Sequence, residues 1–167
     1  MNTLEAIEKR RSVRSYLPTP VEKEKLEKIL YAALQAPTGK NRQPLFFVIR
    51  SDEKKKEELL KRCGVEANYY SCPAILFILK REEDHLAELD CGAAVQNALL
   101  EATELGVSSC WIHSARASFN TEEGRAAVKE ILELSKEYEM METVALGYLK
   151  GEEPIKKERR IDGCKIL

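Results

Sequence analysis

The sequence predicts one domain in which helices alternate with short buried strands. Its length of 167 residues suits a single hydrophobic core. Four short apolar runs, at residues 45–49, 74–79, 107–112 and 143–148, are typical of buried strands. The segments between them carry helix start signals and apolar residues at helical spacing. Taken alone, this alternation favours a doubly wound parallel sheet.

The first two helices are predicted from their capping residues. Asn2 as N-cap, with Glu5 three residues later, indicates a short helix that runs to about residue 10. Thr19 as N-cap, Pro20 at the first helical position and Glu22 closing a capping box indicate a second helix. The segment between the two helices is expected to be extended.

The second helix should end near Pro37, where a turn-rich polar loop over residues 38–44 begins. The first predicted strand follows this loop directly. After the strand comes a charged helix that Ser51 or Asp52 can cap and Gly64 can end.

A long helix is predicted between the second and third strands, from about residue 86 to residue 105. Its apolar residues are spread around most of its circumference. Small residues at positions 92–94 permit the close approach of another helix. We therefore expect one side of this helix to be buried in a second copy of the chain.

The C-terminal third is predicted to hold one more helix, the fourth strand and an arm. Asn120 with Glu123 can cap a helix that reaches about residue 138. The tail, residues 150–167, is basic and polar until its last four residues. We expect it to be an arm of the single domain 1–167 that crosses a surface and does not complete a local core.

Charge and cysteine content argue against several classes of protein. The 27 basic and 28 acidic side chains leave no net field for capturing nucleic acid. Five cysteines, an odd number without a CxxC pair, indicate neither a disulfide framework nor a metal site. The first nine residues include acids, unlike a signal peptide, and no apolar run reaches membrane-spanning length. We therefore expect a cytoplasmic protein without nucleic-acid, membrane or metal binding.

The densest chemical signal is a cluster of arginines near the N-terminus. Arg10, Arg11 and Arg14 surround Ser12 where the first helix gives way to an extended segment. Side chains two residues apart on such a segment share a face, so Ser12 and Arg14 can point the same way. Planar guanidinium groups suit phosphate because they form paired hydrogen bonds with it. The pattern indicates a phosphate site, with a solvated basic patch as the alternative.

A second candidate site is the proline-bounded loop over residues 38–44. Asn41 and Gln43 offer donor and acceptor atoms that suit the polar edges of a heterocycle. Lys40 or Arg42 adds positive charge. Asn and Gly also serve turn geometry alone, so a structural role is the simpler interpretation of this loop by itself.

Four motifs occur in an order that is typical of one enzyme family. They are RRSxR at residues 10–14, AP(S/T)xxNxQP at 36–44, DCGAAVQNALLEATELGVSSCW at 90–111 and ALGY at 145–148. Together they resemble the FMN-dependent nitroreductases over nearly the whole chain. The resemblance implies an α+β fold with a mixed central sheet flanked by helices, in an intertwined homodimer. Its flavin sites are built from both subunits, and residues 150–167 are the arm that contacts the partner subunit. The α+β fold replaces the doubly wound parallel sheet as the expected fold.

The resemblance also implies which residues bind FMN. They are Arg10, Arg11, Ser12, Arg14 and either Arg159 or Arg160 for the phosphate and ribityl chain, with Asn41 and Gln43 for the polar edge of the ring. The implied enzyme takes hydride from NADH or NADPH and reduces a nitroaromatic, a quinone or a similar flat acceptor by a ping-pong mechanism. The flavin N5 carries the chemistry, so no catalytic side chain is required. His113 could touch the flavin, although a lone histidine is more often structural.

Two departures from the family pattern leave other functions open. Leu45 stands where the family commonly has tryptophan, and Ser114-Ala115-Arg116 stands where a Glu-Gly step often follows the third strand. One alternative is a non-catalytic flavin-binding or flavin-storage protein of the same fold. Another is a phosphopeptide- or nucleotide-binding module that uses RRSxR as an anion clamp.

Overall fold

The computed structural model describes residues 1–81, 85–160 and 162–166 of the chain. The helices are α1 (Thr3–Lys9), α2 (Lys23–Leu34), α3 (Glu53–Arg62), α4 (Ala87–Glu104), α5 (Arg116–Phe119) and α6 (Glu122–Ile131). The strands are β1 (Leu45–Arg50), β2 (Ala74–Lys80), β3 (Ser108–Ile112) and β4 (Glu139–Gly147). Short 3-10 turns lie at Gly39–Asn41 and Glu66–Tyr69.

The four strands form one sheet in the order β1-β2-β4-β3, and each pair of neighbours is antiparallel. This arrangement excludes the doubly wound parallel sheet that the alternation of elements favours by itself. The α+β fold implied by the family resemblance is confirmed. In the described part of the chain, the one parallel pairing is an isolated bridge between Ser12 and Ser109 at the β3 edge.

Every residue of β2 from 74 to 79 is buried, which shows that this strand lies at the centre of the core. Successive side chains of a strand point to opposite faces. Ile75 and Phe77 pack with α3, α5 and α6 on one face, whereas Leu76 and Ile78 pack with α2 and α4 on the other. Helices therefore cover both faces of the sheet, which explains why this strand is a continuous apolar run.

Several predicted helix ends are confirmed. At α1, Asn2 Oδ1 accepts the Glu5 amide at 3.0 Å and the Glu5 carboxylate accepts the Asn2 amide at 3.1 Å. At α3, the Asp52 side chain accepts a first-turn amide at 2.8 Å. Gly64 and Gly106 follow α3 and α4 with left-handed φ angles of 64° and 70°. Local sequence is sufficient to determine these ends.

The predicted start of α2 with Thr19 as N-cap is wrong, because the helix begins at Lys23. The Glu22 side chain does not close a capping box with Thr19. Its carboxylate instead accepts a hydrogen bond from the Tyr148 hydroxyl and lies 3.4 Å from the Lys25 ammonium. This tertiary contact uses the side chain that the capping box needs.

The predicted cap of the last helix is also wrong. Thr121 caps α6, with Oγ1 3.0 Å from the Gly124 amide. The Asn120 side chain instead forms two hydrogen bonds with the Met140 backbone in β4, each 2.8 Å long. An interaction with a distant strand therefore takes the residue that local sequence assigned to the cap.

Helix α6 ends at Ile131 and not near residue 138 as predicted. Glu133 has a left-handed φ of 58°, which ends the helix. Its carboxylate lies 2.6 Å from the Lys55 ammonium and 3.3 Å from the Arg50 guanidinium, and these contacts hold the turn. Strand β4 consequently begins at residue 139, earlier than its predicted start at 143.

Helix α4 packs against α2 and the sheet, yet part of its surface stays exposed. Leu89 is 73% exposed, and a Cβ added at Gly92 would meet no atom within 4 Å. Burial of this side in a second copy of the chain remains a prediction. Within the described ranges, no helix combines the length and the hydropathy that a membrane span needs.

The tail beyond β4 is largely exposed on the surface of its protomer. The Lys150 amide donates to the Ser15 carbonyl oxygen at 3.0 Å, and the residues from 155 to 160 are exposed, with Ile155 90% exposed. Ile161 and Leu167, which belong to the predicted arm, lie outside the described residues. An arm that reaches a partner subunit remains a prediction.

Candidate functional site

Residues 10–14 leave α1 in an extended conformation along the outer edge of β3. The Val13 amide donates to the Ser109 carbonyl oxygen at 3.0 Å, next to the bridge formed by Ser12. Val13 is buried in the core. Because side chains alternate along an extended segment, the burial of Val13 directs Ser12 and Arg14 outward.

This segment and the C-terminal tail form a cleft of about 650 Å³. Its described lining carries six cations and one acid. The cations are Arg10, Arg11, Arg14, Lys156, Lys157 and Arg159, and the acid is Glu8. Ser12 adds a hydroxyl group to the lining. Such a donor set suits an anion with several oxygen atoms, such as a phosphate monoester.

The arginines of the cleft differ in the hydrogen bonds and ion pairs that they already form within the protein. Arg11 Nη1 donates to the carbonyl oxygens of Glu8 and Arg10 at 2.6 and 2.9 Å, so it closes the end of α1. In the described part of the chain, no ion pair joins Arg10 or Arg14 to a carboxylate. Burial raises the pKa of the Cys110 thiol in β3, and the positive charges of Arg14 and Arg10 partly offset this rise. Arg10 and Arg14 are therefore available to a ligand beside β3.

Of the two tail arginines, only Arg159 is among the described residues that line the cleft. Arg160 Nη2 lies 3.0 Å from Asp162 Oδ2 in an exposed pair. The structure therefore brings together Arg10, Arg11, Ser12, Arg14 and Arg159, and it places Arg160 outside this group.

The loop before β1 has a strained backbone. Lys40, Asn41 and Gln43 have left-handed φ angles of 54°, 55° and 52°. The Gly39 amide donates to Asp90 Oδ1 at 3.2 Å, in the first turn of α4, and Gln43 Nε2 donates to Asn41 Oδ1 at 3.1 Å. Strained backbone of this kind persists where its surroundings hold it and is common at ligand sites. The loop thus presents Asn41 and Gln43 in one held arrangement.

We expect Asp90→Ala to release this loop. The Gly39 amide loses a charged acceptor, an interaction of about 1.5–3 kcal/mol. Hydrogen exchange of the Gly39 amide should therefore be faster in the variant. Glu88→Ala, an exposed change in the same helical turn, is the control. If the Gly39 amide were equally protected from hydrogen exchange in Asp90→Ala and in the wild type, Asp90 would not be the residue that anchors the loop.

The cleft and the loop lie far apart in one protomer. The loop leads into β1 and the cleft borders β3, and these are the two outer strands of the sheet. The loop contacts α4 at Asp90, whereas Thr103, near the other end of α4, lines a pocket with Arg11. Thirteen residues of helix separate Asp90 from Thr103, which is about 20 Å. One protomer does not bring both groups to one small ligand.

Sequence reasoning missed a polar cluster at the far end of β3. Glu142, a buried acid in β4, accepts the indole N–H of Trp111 at 2.6 Å through Oε2. Its Oε1 lies 2.6 Å from His113 Nδ1. His113 is therefore paired and not the lone histidine that the sequence suggested. An acid inside the apolar run of β4, with Trp111 and His113 two residues apart, was the available signal.

A model of the nitroreductase family matches residues 7–69 and 63–148 of the chain. The chain belongs to the nitroreductase family. The Archaeoglobus fulgidus protein named "Putative NADH dehydrogenase/NAD(P)H nitroreductase" is 30% identical over 154 residues, which cover 89% of this chain and 86% of that protein. The NADPH-flavin oxidoreductase of Vibrio harveyi is 26% identical over 163 residues, which cover 88% of this chain and 65% of that protein.

A solved structure agrees with this assignment. The crystal structure of a nitroreductase from Bacteroides fragilis with bound FMN matches the fold with a TM-score of 0.91 at 27% identity. The match covers 100% of this chain and 99% of that one. The resemblance that the four motifs indicate is confirmed, and the chain is an oxidoreductase of this family.

Proposed function

We propose that this nitroreductase binds FMN, takes hydride from NADH or NADPH and reduces a small flat acceptor such as a nitroaromatic or a quinone. The observation that carries the proposal is the electropositive cleft beside β3, whose described lining has six cations and one acid. The FMN in the related Bacteroides fragilis structure supports the choice of ligand. The nicotinamide and the electron acceptor occupy the same pocket one after the other, so the mechanism is ping-pong.

The donor set of the cleft fits FMN. Arg10 and Arg14 would hold its phosphate, Ser12 would bind the phosphate or the ribityl chain, and Arg159 would add a further cation from the tail. Arg11 lies nearby and supports the end of α1 through its two carbonyl contacts. Bound FMN supplies an N5 atom that accepts and releases hydride. The side chains of the cleft bind and orient the FMN.

The proposed FMN site lies between two copies of the chain. The cleft and the loop are at opposite edges of the sheet in one protomer, so the partner subunit's Asn41 and the partner subunit's Gln43 contact the ring. Leu89 and Trp111, which are 73% and 42% exposed, offer apolar surface for this contact. The exposed tail is then the arm that reaches the partner.

We expect Gly92→Arg to produce a folded monomer that has lost its FMN. Space at Gly92 is open in the protomer, so a long side chain leaves the fold intact but blocks the approach of a second α4. Light scattering after gel filtration measures the mass, and absorbance measures bound flavin. Ala126→Arg, an equal change on the exposed face of α6, is the control. A Gly92→Arg protein that stays dimeric and yellow would exclude this face from the interface.

The activity is tested with the purified protein. We expect a flavin absorbance spectrum that bleaches when NADH or NADPH is added without oxygen and recovers when a quinone is added. A yellow protein that neither nicotinamide bleaches is a flavin-binding or flavin-storage protein. A protein that does not bind added FMN contradicts the proposal entirely and favours a different anion for the cleft.

A further inference from the structure

We propose that His113 donates a proton to the acceptor as the acceptor is reduced, and that Glu142 positions His113 for this step. The inference rests on the proposed FMN-dependent function. It adds an acid to a reaction for which the motifs of the sequence supply none.

Among the described residues, Glu142 contacts Nδ1 of His113 and none contacts Nε2, which leaves Nε2 for a reacting molecule. Glu142 uses both carboxylate oxygens, one for Trp111 Nε1 and one for His113 Nδ1, each at 2.6 Å. Indole N–H can only donate, so Oε2 is committed to Trp111 and Oε1 to the imidazole. The Glu142 side chain is 9% exposed, whereas that of His113 is 69% exposed. The His113 side chain is therefore largely exposed in the protomer, while a buried carboxylate holds its Nδ1 side.

His113 lies at the end of the strand that borders the phosphate cleft. Ser12, at the phosphate cleft, pairs with Ser109 at the start of β3, and His113 follows the last residue of that strand. Four residues of strand span about 13 Å. A ribityl phosphate with half of the ring reaches a similar distance. The cleft and His113 therefore lie along the same edge at the separation that this ligand needs.

The charged groups around the pair come from three elements. Glu142 is on β4. Burial, and to a smaller extent the negative charge of Glu142, raises the pKa of the Cys91 thiol on α4 to about 12. Arg116 on α5 lies 3.0 Å from Glu88 on α4 and 3.4 Å from Glu139 on β4, so these two carboxylates offset its charge. Glu142 is thus the charged partner that contacts the imidazole directly.

The proposed step balances in atoms and charge. A quinone receives a hydride, with its electron pair, on one oxygen atom. The other oxygen receives the Nε2 proton of imidazolium His113, which gives the neutral hydroquinone. The imidazole left behind recovers a proton from water through its exposed edge. Glu142 holds the Nδ1 side of the ring throughout the transfer.

The first test measures the two half-reactions separately in the holoprotein. We expect His113→Gln to leave the rate of flavin bleaching by NADH or NADPH unchanged and to slow reoxidation by a quinone about 100-fold. The wild-type reoxidation rate should fall as rising pH removes the proton that His113 donates, and the variant should lack this dependence. His85→Gln, a change of the other histidine, is the control.

The second test determines which nitrogen of the His113 ring carries the proton, and it does not depend on activity. Nitrogen-15 NMR should find the wild-type His113 ring protonated at Nδ1 when it is neutral. In Glu142→Gln the side chain has one acceptor oxygen for two donors, so the ring should change to the Nε2 tautomer. Reoxidation by a quinone should slow and lose its pH dependence in this variant as well.

The outcomes separate this inference from the proposed function. Normal bleaching by nicotinamide with wild-type reoxidation in His113→Gln overturns the proton-donor role alone. An unchanged His113 tautomer in Glu142→Gln overturns the positioning role. Wild-type protein that is never bleached overturns the proposed function itself.

Discussion

Replacing both Arg10 and Arg14 with alanine is expected to yield a folded protein that no longer retains FMN. Neither guanidinium pairs with a carboxylate in the described ranges, and both lie in a cleft that holds an excess of cations. A hydrogen bond between charged partners contributes about 1.5–3 kcal/mol, so loss of two such contacts should raise the Kd for FMN by about 100-fold or more. Fluorescence titration of apoprotein with FMN measures this change.

The chain offers graded controls for this result. Arg125→Ala removes an exposed arginine of α6 whose Nε donates to the Asn120 carbonyl oxygen, and it should leave FMN affinity unchanged. Arg11→Ala should have an intermediate effect, because Arg11 already donates to two carbonyl oxygens of the α1 end. Wild-type affinity in the Arg10/Arg14 double variant would show that the phosphate binds elsewhere.

Gly124→Ala is expected to lower the free energy of unfolding by about 3 kcal/mol. An added Cβ would lie 2.2 Å from the Ser118 carbonyl oxygen and 2.9 Å from the carbonyl carbon of Phe119. These are backbone atoms, so α6 must move away from α5. Phe119 resists this movement, because its buried ring contacts the rings of Phe77 and Tyr69 edge-on at 6.0 and 6.4 Å.

Denaturant unfolding followed by circular dichroism measures the effect. Gly163→Ala is the matched control, because the same methyl group meets no atom within 4 Å there. Its unfolding midpoint should equal that of the wild type. A Gly124→Ala protein with the wild-type midpoint would mean that the contact between α5 and α6 relaxes without cost.

The arginine part of the candidate site could be predicted because its signal is local. Arg10, Ser12 and Arg14 are close in sequence, and an extended segment places Ser12 and Arg14 on one face. The choice between Arg159 and Arg160 could not be predicted, since it depends on how the tail folds back over the segment. Arg160 pairs with Asp162, and Arg159 lines the cleft.

The errors at the starts of α2 and α6 have one physical cause. Glu22 and Asn120 are good local capping residues, yet each binds a residue distant in sequence, Tyr148 and the Met140 backbone respectively. A side chain has a limited number of donors and acceptors, so a tertiary partner removes it from the cap. The role of Glu142 could not be predicted either, because its partner Trp111 is 31 residues away in sequence.

The sequence by itself determined the family, most helix ends and the arginine cluster, because caps, apolar periods and short motifs depend on neighbouring residues. Only the tertiary structure decided the antiparallel strand order, the separation of the cleft from the Asn41 loop, and the pairing of His113 with Glu142. These features depend on which distant strands pair and in which register, and a local window of sequence does not contain that information.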